Sequence, residues 1–145
     1  MTDALGYLVA QADKRLQQLV ALEMRALRVT PQQFWVLLLL YQGALKSVGE
    51  VGERIGIDRP ASSRLVMELQ RRGWVRLDPP RERRRPVELT ARGKQQAERF
   101  RMVAAKLAAA MEEGVQQRQV VAEGLMKMIS NLDQAIRGRR SRSRS

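Results

Sequence analysis

The side chains best equipped for specific contacts in this sequence are arginines, and they fall in two groups. One opens a candidate helix, Arg59-Pro60-Ala61-Ser62-Ser63-Arg64, and the other is a dense run, Arg81-Glu82-Arg83-Arg84-Arg85. A guanidinium is a permanently charged, planar fork of donors, suited to binding anions. Toward nucleic acid, arginine grips O6 and N7 of guanine in two hydrogen bonds, while serine serves phosphate or base edges. Catalysis has little to work with. The chain has no histidine and no cysteine, hence no common general base, no thiolate metal site and no disulfide. Nothing is present to activate Ser62 or Ser63, and no carboxylate pair, phosphate loop or metal spacing is visible. No enzymatic activity, cofactor or metal site is expected. Lys and Arg number 27 against 15 Asp and Glu, a formal charge of +12. That excess attracts polyanions at long range, whether nucleic acid or an acidic membrane surface.

The elements that must position these groups follow from caps and periodicity. Ser47-Val48-Gly49-Glu50 is a capping-box pattern that opens a short helix, with Val48, Val51 and Ile55 on one stripe. Gly56 stops it, and Asp58 caps a second helix over 58–72 with Pro60 in its first turn. Leu65, Val66 and Leu69 form the buried side of that helix, leaving Arg59, Ser62, Ser63, Arg64 and Met67 toward solvent. Trp74-Val75-Arg76-Leu77 and Pro86-Val87-Glu88-Leu89 alternate like two half-buried strands around a polar turn. Two helices with a tight turn followed by a basic hairpin over 78–88 predict a winged helix-turn-helix.

Around this unit the chain reads as helical. Residues 2–27 predict a first helix with Leu5, Leu8, Ala12, Leu16, Leu19 and Leu22 or Glu23 on one face. Thr30, Pro31 and Gln33 open a second, whose run FWVLLLLY (34–41) is apolar all round and belongs at the centre. Residues 44–46 read as a link into the winged unit. After the wing, Thr90 caps a helix to about Glu113, with Phe100, Val103, Ala104, Leu107, Ala108 and Met111 facing inward. Val121, Leu125, Met128, Leu132 and Ile136 make the stripe of another. The fold class is therefore mainly α with a small β-hairpin wing, flanked by N- and C-terminal helices. One domain over 1–137 is expected, with 30–90 as DNA-binding core, 1–28 and 91–137 as dimerisation helices, and 138–145 as a disordered basic tail. The outer apolar stripes need cover, and a second copy of the chain is the simplest source, making a homodimer. The alternative is that these helices fold over the winged unit of one monomer. No apolar run reaches the ~18 residues of a membrane span, and the start does not resemble a secretory signal. Cytoplasmic residence without membrane insertion is expected.

Taken together the chain resembles the MarR family (multiple antibiotic resistance regulators). The likeness is carried by Thr30-Pro31-Gln32-Gln33-Phe34, by residues 57–66 (IDRPASSRLV) and by Leu69-Gln70-Arg71-Arg72-Gly73-Trp74-Val75. The family's wing signature is Asp-x-Arg, five residues, then Leu-Thr-x-x-Gly. Arg83 and Leu89-Thr90-Ala91-Arg92-Gly93 fit it, whereas Arg81 stands at the Asp position. The resemblance implies dimeric winged-helix regulators, usually repressors, on near-palindromic double-stranded DNA, many released by a small anionic, often aromatic, effector. It also implies that the missing Asp would have paired with the wing arginine. Glu82 is the available substitute, and the wing is expected to lean on DNA for its order.

The site assignments follow. Arg59, Pro60, Ser62, Ser63 and Arg64 are candidate major-groove contacts from the recognition helix, with Pro60 serving as helix starter or as a contact to a thymine methyl. Arg81, Arg83, Arg84 and Arg85 are candidate wing contacts, Arg83 by its match to the family's minor-groove arginine. Ser47, Arg71, Arg72 and Arg76 are candidate phosphate contacts, with Arg92 and Lys94 beside them. Arg25, Phe34, Trp35 and Tyr41 lie where the resemblance puts an effector pocket, although aromatics on a buried helix more often form core. The competing readings are a weakly selective architectural DNA-binding protein and a protein that meets anionic membranes through its basic tail. The second lacks an amphipathic basic anchor.

Overall fold

The structure, a computed structural model, describes residues 4–144. Among the described residues, six helices and a two-stranded antiparallel hairpin follow in the order α1 (Ala4–Leu27), α2 (Pro31–Tyr41), α3 (Val48–Ile55), α4 (Arg59–Arg71), β1 (Val75–Leu77), β2 (Val87–Leu89), α5 (Ala91–Glu112) and α6 (Arg118–Ser143). The expected fold class, mainly α with a β-hairpin wing, is what the chain adopts. It divides into two compact units, one ending at Ala108 and one beginning at Ala109. A single domain to residue 137 was expected; α6, however, buries no side chain of its own.

The first unit is built around α2. Thr30 accepts from the Gln33 N–H while the Gln33 side chain accepts from the Thr30 N–H, so the capping box closes in full. Phe34, Val36, Leu37, Leu38 and Leu40 are all buried, as expected for a helix apolar on every side. Phe100 of α5 stacks against Phe34 at 5.2 Å between ring centroids and against Trp74 at 5.9 Å, so one aromatic cluster joins α2, α5 and the root of the wing. The face of α1 that meets this core differs from the expected one. Val20 and Met24 are buried and Leu16, Leu19 and Leu27 pack beside them, whereas Leu5, Leu8 and Leu22 are exposed. The expected stripe ran too straight, because only the C-terminal half of α1 has core to pack on. Its expected start at residue 2 lies outside the described residues.

Two close approaches hold the winged unit. Where α3 crosses α4, Gly52 leaves room for the Ile57 carbonyl and Ser62; a Cβ there would sit 3.1 Å from that oxygen. Where α5 begins, a Cβ on Gly93 would lie 1.8 Å from the Trp74 carbonyl oxygen. Thr90 completes that junction, accepting from the Gly93 N–H at 3.0 Å and donating to the Gly73 carbonyl at 2.5 Å. The Leu-Thr-x-x-Gly motif is thus the hinge by which α5 docks on the base of the wing.

The hairpin pairs Val75 with Leu89 and Leu77 with Val87. A third, very short segment joins it: the Val87 N–H donates to the Lys46 carbonyl at 2.9 Å and the Val48 N–H to the Arg85 carbonyl at 3.1 Å. Residues 46–48 therefore form the wing's outer edge, and Lys46, expected to be only part of a link, belongs to it. At the tip, Arg81 and Arg84 exchange backbone hydrogen bonds of 2.6 and 2.8 Å around Glu82 and Arg83, with φ of 48° and 70°. Two left-handed non-glycine residues in succession cost roughly 1–2 kcal/mol each.

The second unit contains α6, which runs unbroken to Ser143. This corrects the expectation of a disordered tail over 138–145, of which residue 145 lies outside the described residues. Arginine is a good helix former, and Arg140 and Arg142 complement the negative end of the helix dipole. Among the described residues no helix is long and apolar enough to cross a membrane.

Candidate nucleic-acid interface

Helix α4, the candidate recognition helix, starts where Asp58 accepts from the Ala61 N–H at 2.8 Å, with Pro60 in the first turn. Leu65, Val66 and Leu69 are buried, which turns Arg59, Pro60, Arg64, Met67 and Arg71 outward. Ser63 is half-buried on the border of that face. Ser62 is a correction. It is fully buried and donates to the Val48 carbonyl at 2.6 Å, joining α4 to the first turn of α3. A hydroxyl so placed is spent on the helix crossing and does not face DNA.

The wing tip lies beside the start of α4. Arg59, Arg83 and Arg84 line one cleft of about 300 Å³ together with Ser47, Gly49, Glu50 and Glu53. The Arg59 guanidinium lies over Gly49, 3.2 Å from where a Cβ would stand. Arg81, Arg83, Arg84 and Arg85 are all exposed. Glu82 forms no ion pair among the described residues, so it does not substitute for the family's wing Asp. The tip is closed by backbone hydrogen bonds instead.

The four phosphate candidates part ways. Arg71 is exposed at the end of α4. Ser47 is buried and caps α3 by accepting from the Glu50 N–H at 3.3 Å, and it lines the cleft of Arg59, Arg83 and Arg84. The Glu50 carboxylate accepts from the Lys46 N–H rather than from that of Ser47, one residue off the expected capping box. Arg72 donates to the Arg28 carbonyl at 2.5 Å and lies 4.8 Å from the Trp74 ring centroid, which makes it a tie between α4 and the α1–α2 turn. Arg76 is exposed but pairs with Asp78 and Glu88, whose carboxylates neutralise it.

The candidate pocket residues are not brought together. Phe34 is fully buried in the core, and Arg25 is exposed. Trp35 lines a groove of about 570 Å³ with Asp13, Leu16, Gln17, Val20, Pro31, Gln32 and Ile55. Tyr41 points elsewhere, donating to Glu98 at 2.9 Å. Six residues of helix turn Tyr41 far from Trp35, and one apolar run cannot aim all its rings one way. Glu98 also accepts from Arg101, and those hydrogen bonds, with the Tyr41 hydroxyl, hold its carboxyl below the usual range. The same Glu98 raises the Tyr41 hydroxyl. Neither this network nor Gly93 was singled out by sequence reasoning as a contact; the Leu-Thr-x-x-Gly spacing was the signal for the glycine.

Comparison with known proteins agrees with this geometry. The model of the MarR family matches residues 29–85. No curated protein matches the chain. Among solved structures, a MarR-family transcriptional regulator from Silicibacter pomeroyi is similar at 25% identity and TM-score 0.75, covering 88% of each chain. A MarR transcriptional regulator from Methanosarcina mazei Go1 is similar at 19% identity and TM-score 0.77, covering 93% of each chain. MepR from Staphylococcus aureus in complex with DNA shares the fold at 20% identity and TM-score 0.72, covering 87% of this chain and 96% of that one.

Proposed function

From the premise that this chain belongs to the MarR family, we propose that it is a DNA-binding transcription regulator, not an enzyme, reading DNA with α4 and gripping it with the wing. The observation that carries this reading is the shared cleft of Arg59 with Arg83 and Arg84, which sets the recognition helix and the basic tip side by side. Two anion-binding elements so joined match adjacent major and minor grooves. Arg64 and Arg59 supply base contacts, Ser63 borders them, and Pro60 starts the helix. Arg81, Arg83, Arg84 and Arg85 supply minor-groove and phosphate contacts, and Arg71 a phosphate contact. The finer reading is a homodimeric repressor on a near-palindromic site, confined to the cytoplasm, with a small-molecule effector in the Trp35 groove. Its support is the family's habit and the exposed apolar side chains of α1 and α6.

Site selection from random DNA, followed by titrations of variants, tests this. Arg64→Ala is expected to flatten preference among sequences. Arg84→Ala is expected to weaken all sequences and lower the salt slope by about 0.9. If Arg64→Ala weakened every sequence equally, α4 would not be the reader. An architectural protein would show less than about ten-fold preference for its best site over random DNA at physiological salt, far below the ~10³-fold of specific binders.

A further inference from the structure

The exposed face of α4 carries one side chain that phosphate binding does not account for. Met67 is 51% exposed. Between Tyr41 and Met102 it is the single large apolar side chain left in solvent; the other exposed ones belong to α1, α2, α5 and α6 or to the turn before α6. Those of α1 and α6 are the ones the proposed homodimer would cover. Met67 stands apart from them, in the midst of the basic surface.

Its direction follows from the helix. Ser62, Leu65, Val66 and Leu69 are the buried residues of α4. At about 100° per residue, Met67 points nearly opposite their mean direction. Arg64, Gln70 and Arg71 flank it, all exposed, with half-buried Ser63 at the border. When α4 enters a major groove with its arginines on bases and phosphates, Met67 points at the floor of that groove. The one apolar group that a base pair offers there is the C5-methyl of thymine. A thioether on three rotatable bonds adapts to such a target at small cost.

We propose that Met67 is a specificity-determining residue that reads a thymine C5-methyl in each half-site. The proposal rests on the reading of α4 as the recognition helix. Arginine and serine at neighbouring positions select hydrogen-bonding edges; Met67 adds selection for a T·A pair by excluding water from the methyl.

Deoxyuridine removes only that methyl and leaves base pairing intact, which makes it the probe. After in vitro selection of a site with the full chain, each thymine is replaced singly by deoxyuridine, and affinity is measured by anisotropy at fixed salt. One thymine per half-site is expected to lose about four-fold on demethylation, the worth of one buried methyl. Met67→Ala and Met67→Gln are expected to bind the thymine and deoxyuridine sites equally, near the wild-type affinity for the deoxyuridine site. Met67→Leu is expected to keep the methyl dependence. Thermal melts of all three are expected to match wild type, since the side chain packs on no core. If no thymine shows methyl dependence, or if Met67→Ala keeps the wild-type dependence, the Met67 proposal fails while the regulator reading stands. If selection enriches no sequence, both fail.

Discussion

Ser62 and Ser63 are neighbours in sequence, yet a turn of about 100° of helix separates their roles. Ser62 lies inside, bonded to the Val48 carbonyl, and Ser63 borders the exposed face. Ser62→Ala is therefore expected to lower stability by roughly 1–2 kcal/mol, the cost of one buried hydrogen bond, with sequence preference unchanged. Chemical denaturation beside a DNA-selection assay checks both halves; changed preference at unchanged stability would return Ser62 to the interface. Residue type announced that serines and arginines here could bind DNA. It could not say which of two adjacent serines the crossing of α3 and α4 would claim, because that depends on the contact made at Gly52. Arg72 was misjudged for the same reason. Its tie to the Arg28 carbonyl uses a donor that a phosphate would take.

At the scale of elements, the wing is held from three sides. Its base meets α5 at Gly93, its edge is completed by residues 46–48, and its tip closes on the Arg81–Arg84 backbone pair. Gly93→Ala would drive a Cβ into the Trp74 carbonyl and is expected to cost at least about 3 kcal/mol, the upper range for overpacking. A thermal melt reads it, and a melting temperature within a degree or two of wild type would mean that α5 docks differently. Up to residue 137 the helices and strands were legible, since caps such as Thr30 with Gln33 and alternation such as Trp74-Val75-Arg76-Leu77 are local signals. The third edge was not legible. Lys46 has no strand pattern around it, and its carbonyl is paired only because β2 passes alongside.

At the scale of the molecule, α1 and α6 expose Leu5, Leu8, Val121, Leu125, Leu132 and Ile136. Apolar side chains in such number are the mark of an interface, and a homodimer is the proposed cover. Sedimentation is expected to give twice the 16.5 kDa chain mass, and the selected site to be an inverted repeat with half-site centres ~34 Å apart. A strict monomer on a single half-site would overturn the dimer.

Read alone, the chain determined its helices, its hairpin, its basic character and the family it resembles, because these depend on neighbours within a turn or two and on composition. Tertiary structure decided which polar atoms remained free. Ser62 and Arg72 were claimed by contacts inside the fold, Phe34 went to the core and Tyr41 to Glu98. Burial and partnership are set by segments distant in sequence, so no local pattern could assign them. Arg59, Arg64 and the wing arginines stayed outside, with Arg59 beside Arg83 and Arg84, and that placement turns a charge count into a candidate surface for DNA.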